Sequence, residues 1–180
     1  RLRKKEVLKW IGYGYPNPEI SSFCTDQRVT LVGYGELPNG MQSEFNFPLP
    51  SCLISKAVSK RLTITLAWLS PIASCNQDYR LAKLSFRTKS SLIAKDISDS
   101  DERAAKRGTV QHEVFVGKQA STYLSGTNLE IVVSCKKEDR LTYPVKYVLM
   151  ATLEVSPEVS LPIYEEIKSS LAQQVEPLKV

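Results

Sequence analysis

His112 is the only imidazole among the 180 residues, so proton transfer near neutral pH would have to start from it. It stands in Gly108-Thr-Val-Gln-His-Glu-Val114, whose alternation puts it on the same side of a strand as Val110 and Val114. A catalytic base needs a Ser or Cys nucleophile on one side and an orienting carboxylate on the other. The chain has no Gly-x-Ser-x-Gly elbow, and His112-Glu113 runs on into Val114, Phe115 and Val116 instead of reaching the second histidine of a zinc peptidase. His112 is therefore expected to be a core or edge residue satisfied by hydrogen bonds, and no residue is assigned a catalytic role.

Metal and phosphate chemistry fares no better. Cys24, Cys52, Cys75 and Cys135 are far apart and form no Cys-x-x-Cys pair, so no metal site is expected. Cys135 continues the alternation of its strand as a small apolar residue would. Asp96, Asp99, Asp101 and Glu102 lack the glycine and terminal glutamate of a calcium loop and read as a solvated acidic stretch. Gly33-Tyr-Gly35 meets Pro38 where a dinucleotide fingerprint needs glycine, and no Gly-Lys-Ser/Thr occurs. No cofactor is expected.

Recognition is a better prospect near the start. Trp10-Ile-Gly-Tyr-Gly-Tyr-Pro-Asn17 sets Trp10, Ile11, Tyr13 and Tyr15 around two glycines. Tyrosine and tryptophan bury large apolar areas while keeping a polar handle, and the glycines let backbone approach another surface closely. These four residues are expected in an interface, either with this domain or with whatever precedes Arg1.

Positioning such residues falls to a β-rich framework. The run from Leu62 to Trp68 alternates Leu62, Ile64, Leu66 and Trp68 with Thr63, Thr65 and Ala67, the pattern of a strand with one buried face, stopped by Pro71. Further strands are expected at Arg28–Gly35 (Val29, Leu31), Gln42–Leu49 (Phe45, Phe47, Leu49) and Arg80–Arg87 (Ala82, Leu84, Phe86). Others are expected at Thr109–Val116 (Val110, Val114, Val116), Thr127–Cys135 and Val145–Val155. Pro38-Asn39-Gly40 reads as a hairpin turn between the first two. The set describes a mainly β, two-layer antiparallel sandwich. Short helices are expected from Asn17 to about Thr25, from Asp101 to Arg107, and from Ser160-Leu-Pro162 onward. In the last, Ile163, Ile167 and Leu171 form one apolar stripe, for the chain's own domain or for a partner helix.

The composition suits one ordinary domain: 42% of residues are hydrophobic and 24% charged. No apolar run approaches a membrane span, and no membrane partner is expected. The net charge of +5 is spread thinly apart from Arg1-Leu-Arg-Lys-Lys5, which lacks interleaved aromatics, so no nucleic-acid partner is expected. The absence of an Asn-x-Ser/Thr sequon favours a cytoplasmic setting over a secreted one. With no initiator methionine, the chain reads as a piece of a longer protein.

Two elements carry a family resemblance. Gly12-Tyr13-Gly14 with Pro16 and Asn17 resembles the closing segment of subtilase (subtilisin-like serine protease) catalytic domains. Leu62-Thr-Ile-Thr-Leu-Ala-Trp68 with Pro71 resembles the L-x-V-T-L-x-W strand of the jelly-roll domain that follows many bacterial subtilase domains. Gly108–Val114 and Ala151-Thr-Leu-Glu-Val155 are similar to further segments of such C-terminal regions. The chain departs from the family at Ser70, where many relatives carry Asp before the proline. It also lacks Gly-Thr-Ser: Gly108-Thr109 precedes Val110 and Gly126-Thr127 precedes Asn128.

The resemblance implies that residues 1–25 are the tail of an upstream catalytic domain, or a linker helix, and that 26–180 form a jelly-roll-like sandwich with a C-terminal helix. It implies a non-catalytic accessory domain of a serine endopeptidase whose triad lies upstream of Arg1. The implied partners are the upstream subtilase catalytic domain and the parent's protein or peptide substrates. The other expectation is a free-standing ligand- or carbohydrate-binding sandwich, which exposed aromatics in a planar row would favour.

Overall fold

The computed structural model describes residues 23–54, 59–69, 82–89, 110–124, 126–137, 139, 141–156 and 162–174. Among them are seven strands: β1 (Arg28–Leu37), β2 (Gln42–Pro48), β3 (Lys60–Trp68), β4 (Leu84–Lys89), β5 (Val110–Val116), β6 (Asn128–Cys135) and β7 (Val145–Val155). Two helices accompany them, α1 (Gly117–Tyr123) and α2 (Ile163–Gln174), with a 3-10 turn at Ser51–Ile54.

The strands form two antiparallel sheets, ordered β1-β7-β3-β5 and β2-β6-β4. Each strand in chain order lies in the opposite sheet from the one before it. The pairs β1–β7, β2–β6 and β3–β5 are nested, as if one long hairpin bent at β4 had been wound around the core. This is a jelly-roll-like β-sandwich, the expected class. The Pro38-Asn39-Gly40 turn exists, with Met41 N–H donating to Pro38 O at 3.1 Å and Gly40 at φ 75°. It is a corner between the two sheets and not the expected hairpin, because β1 takes β7 as its partner and β2 takes β6.

The alternation in Leu62–Trp68 translates directly into packing. Leu62, Ile64, Leu66 and Trp68 are buried, beside Leu149, Ala151 and Leu153 of β7 and in one core cluster with Leu129, Ile131 and Val133 of β6. Each fully buried aliphatic side chain contributes about 1.5–3 kcal/mol relative to exposure. The Trp68 indole N–H donates to Ala82 O at 3.0 Å, so its polar edge is satisfied inside the core. β4 starts at Leu84, later than the alternation suggested, although Ala82 is buried as expected.

Gly33 belongs to the same core. A Cβ there would overlap the Phe45 ring, which stacks on Phe47 at 6.0 Å and meets Tyr147 edge-on at 6.1 Å. The Gly33-Tyr-Gly35 sequence, useless for a dinucleotide, thus makes room for aromatic rings against β1.

The helices follow the expectations in part. Ile163 and Ile167 of α2 are buried and Leu171 is half-buried, with α2 packed against β1 and β2, so its stripe serves its own domain. The expected helix over residues 17–25 does not reach its C-terminal end: Thr25 exchanges both backbone hydrogen bonds with Arg28, at 2.7 and 3.1 Å, in an isolated antiparallel bridge. Backbone groups committed to a bridge cannot also close a helical turn. Residues 17–22, and the helix expected near 101–107, lie outside the described residues. Helix α1 was not expected; it buries Ala120, Tyr123 and the following Leu124.

Candidate functional site

The two sheets present opposite kinds of outer surface. On the three-stranded sheet the outward positions are polar: Gln42, Glu44 and Asn46 on β2, Asn128, Glu130 and Ser134 on β6, Ser85 and Arg87 on β4. The apolar exception, Val132, is buried between its register partners Glu44 and Arg87.

The four-stranded sheet is different, and its register lays the outer face out in rows. Tyr34 pairs with Val148, which pairs with Ala67, which pairs with Val110. The next row runs Val32, Met150, Thr65, His112, and the one after it Thr30, Thr152, Thr63, Val114. Tyr34 is 81% exposed, Val32 52% and Val148 41%. Charged pairs border this apolar band at both ends. Arg28 and Arg61 flank Glu154 at 3.3 and 3.6 Å, and Lys146 meets Glu36 at 3.4 Å. The apolar part of this face, centred on Tyr34, Val32, Val148 and Val110, is an exposed patch rimmed by polar and charged residues, a form that marks interaction surfaces.

Two side-chain pairs, each with a threonine, tie neighbouring strands across that surface. Thr30 Oγ1 and Thr152 Oγ1 are 3.1 Å apart, and Thr65 Oγ1 lies 2.8 Å from His112 Nδ1. His112 is thus an exposed edge histidine satisfied by a hydrogen bond. Val110, Val114 and Val116 share its outward face and are exposed, while β5 turns Phe115 and Gln111 inward. Glu113 also points away from His112, through the sheet, where its Oε1 accepts from Gln111 Nε2 at 2.7 Å. The carboxylates on the outer face, Glu36 and Glu154, sit in the rim rows beside their own basic partners. Thr65 and His112 therefore have a hydroxyl and an imidazole in contact without an orienting carboxylate in their row.

Inside the seam between β5 and β4 lies a second polar group. Gln111 is buried and pairs with the main chain of Phe86, and Tyr123 lies beneath it against Phe115, ring centroids 4.9 Å apart. Burial pushes the Tyr123 phenol above its ordinary value, Glu113 adds to the rise, and the Thr88 hydroxyl opposes it. This cluster is enclosed and structural in character.

Of the residues singled out from sequence, Trp10, Ile11, Tyr13 and Tyr15 lie outside the described residues, as do Asp96, Asp99, Asp101 and Glu102. Cys135 is buried as its alternation required, and Cys24 is half-buried beside the core. Among the described residues no group of His, Cys, Asp and Glu could hold a metal ion, and no helix is long and apolar enough to cross a membrane. Sequence reasoning missed the outer apolar face. Its signal was present in strands with apolar residues on both parities, such as Val29, Leu31, Val32 and Tyr34.

No protein-family model matches the chain. A stretch of 86 residues, 48% of the chain, is 29% identical to an uncharacterised protein, y4bN, of Sinorhizobium fredii (strain NBRC 101917 / NGR234). The matched stretch spans about 20% of that relative's length.

Proposed function

We propose that this chain is the non-catalytic C-terminal accessory domain of a subtilisin-like serine endopeptidase, bracing the catalytic domain or helping to hold its substrates. The observation that carries the reading is the place of Leu62–Trp68. The run that resembles the family's L-x-V-T-L-x-W strand is an interior strand of a jelly-roll-like sandwich, with its alternate residues in the core. The apolar outer face of the same sheet supports a bracing role, because it offers a surface to another protein body. The parent would cleave peptide bonds with a Ser-His-Asp triad located upstream of Arg1, and its protein or peptide substrates would be the chain's indirect partners. The alternative, a carbohydrate-binding sandwich, gains little from the outer face: Tyr34 is its one aromatic residue, where a sugar platform would use a row of them.

The test is to express the polypeptide including the sequence upstream of Arg1 and treat it with a fluorophosphonate. Labelling of an upstream serine, with no labelling of the 180-residue chain, is the expected result. An upstream sequence without Ser, His and Asp in triad order overturns the proposal. So does peptide turnover by the 180-residue chain that His112→Ala abolishes.

A further inference from the structure

We infer that the outer face of the four-stranded sheet, centred on Tyr34 and Val148, is the docking site of the chain's own aromatic segment, Trp10 to Tyr15. The inference deepens the proposed function and rests on it for the identity of the segment as the tail of the catalytic domain. That tail is the part seated on the face, and the Trp10 readout tests the seat separately from any upstream activity.

The first argument is the direction in which the chain arrives. The Thr25–Arg28 bridge reverses the backbone at Asp26 and Gln27. Arg28 spends its N–H and C=O on Thr25, on the side away from β7, while Gln27 O accepts from Val155 N–H on the β7 side. Thr30 N–H then donates to Cys24 Sγ at 3.4 Å. Cys24 therefore lies back along the edge of β1, with the chain directed antiparallel to it, on the side of Val32 and Tyr34.

Reach is the second argument. From the level of Thr30 to that of Tyr34 is four residues of strand, about 13 Å. The eight residues from Tyr15 to Ser22 extend up to about 26–29 Å. The aromatic segment is thus tethered within reach of the apolar band, with enough slack to cross from β1 onto β7.

Chemistry is the third. The band exposes Tyr34, Val32, Val148 and Val110, and the tethered segment supplies Trp10, Ile11, Tyr13 and Tyr15. Apolar surface facing apolar surface at high effective concentration associates without needing a strong intrinsic affinity. Gly12 and Gly14 allow the segment's backbone to lie close on the sheet. The polar outer face of the three-stranded sheet offers no comparable seat.

Trp10 reports on this directly, because Trp68 is the only other tryptophan and is buried in the core. Subtracting the emission of a Trp10→Phe variant from that of the full chain isolates the Trp10 signal. We expect Trp10 to be blue-shifted and protected from acrylamide. A Val32→Lys/Val148→Glu variant, changed at two exposed positions and with unaltered circular dichroism, should raise its quenching constant several-fold toward that of free indole. Trp10 as quenchable in the unmodified chain as N-acetyltryptophanamide overturns the inference. Protection that persists in the double variant also overturns it, since Trp10 would then be covered elsewhere. Protection that appears only with dimerisation in sedimentation makes a second copy the occupant and overturns it equally.

Discussion

Gln111 Oε1 accepts from Phe86 N–H at 2.8 Å and Gln111 Nε2 donates to Phe86 O at 3.4 Å, so one side-chain amide completes the main-chain pairing of a strand in the other sheet. Phe86 pairs with Val133 of β6 on one side, and the amide stands on the other. Glu113 accepts the remaining Nε2 proton, which fixes the orientation of the amide. A buried glutamine on an otherwise apolar parity is explained by this arrangement.

Gln111→Leu should leave the Phe86 N–H and C=O unpaired in the interior and cost about 2 kcal/mol or more. Urea denaturation measures it. A midpoint unchanged from the parent would mean that water or a neighbouring group replaces the amide.

Trp68→Ala should cost roughly 3–5 kcal/mol, the range for removing a large buried aromatic, because it also releases Ala82 O from its indole donor. Trp68→Phe keeps most of the volume and loses the hydrogen bond, so it should fall clearly short of the alanine variant. Equal losses would show that the hydrogen bond dominates over packing.

Gly33→Ala should destabilise by about 1–3 kcal/mol through overpacking against Phe45. Pairing it with Phe45→Leu tests the cause. The double variant should be less destabilised than the sum of the two single changes, and simple additivity would place the strain elsewhere.

Tyr123 makes stability fall in alkali. Its phenol is raised by burial, so the folded chain holds that proton to higher pH than the unfolded chain does. The corresponding stability is fully present below the ordinary tyrosine value of about 10 and is lost as pH rises through the folded value. Tyr123→Phe should leave the neutral-pH midpoint nearly unchanged and flatten the decline above pH 10, read by urea midpoints across that range. An identical alkaline decline in the variant would place its origin in other groups.

The strands were legible because their inner faces obey a period of two without exception from Leu62 to Trp68 and from Val145 to Val155. What the sequence concealed were choices between two equally apolar parities. On β5 three valines stand on one parity and a single apolar residue, Phe115, on the other, yet Phe115 and Gln111 face the core because the seam needs a ring beside Tyr123 and an amide beside Phe86. Helix α1 was hidden by its length and by Gly117 at φ 56°, though Ala120, Tyr123 and Leu124 carry helical spacing. The Pro38-Asn39-Gly40 turn was legible as a turn, but its role as a corner depends on partners about a hundred residues away.

That wound order also dictates when the molecule can be made. β7, the last of the described strands in chain order, lies between β1 and β3, the first and third, which pair within the sheet only through it. Before Val145–Val155 leaves the ribosome, β1 has no partner within its sheet among the described strands, and β3 has only β5. Contacts of such long sequence separation form slowly, and their unpaired edges are open to other chains in the meantime. A nascent chain stalled before Val145 should therefore be a client of chaperones, and a single stop codon there should leave an aggregate in place of a shortened domain.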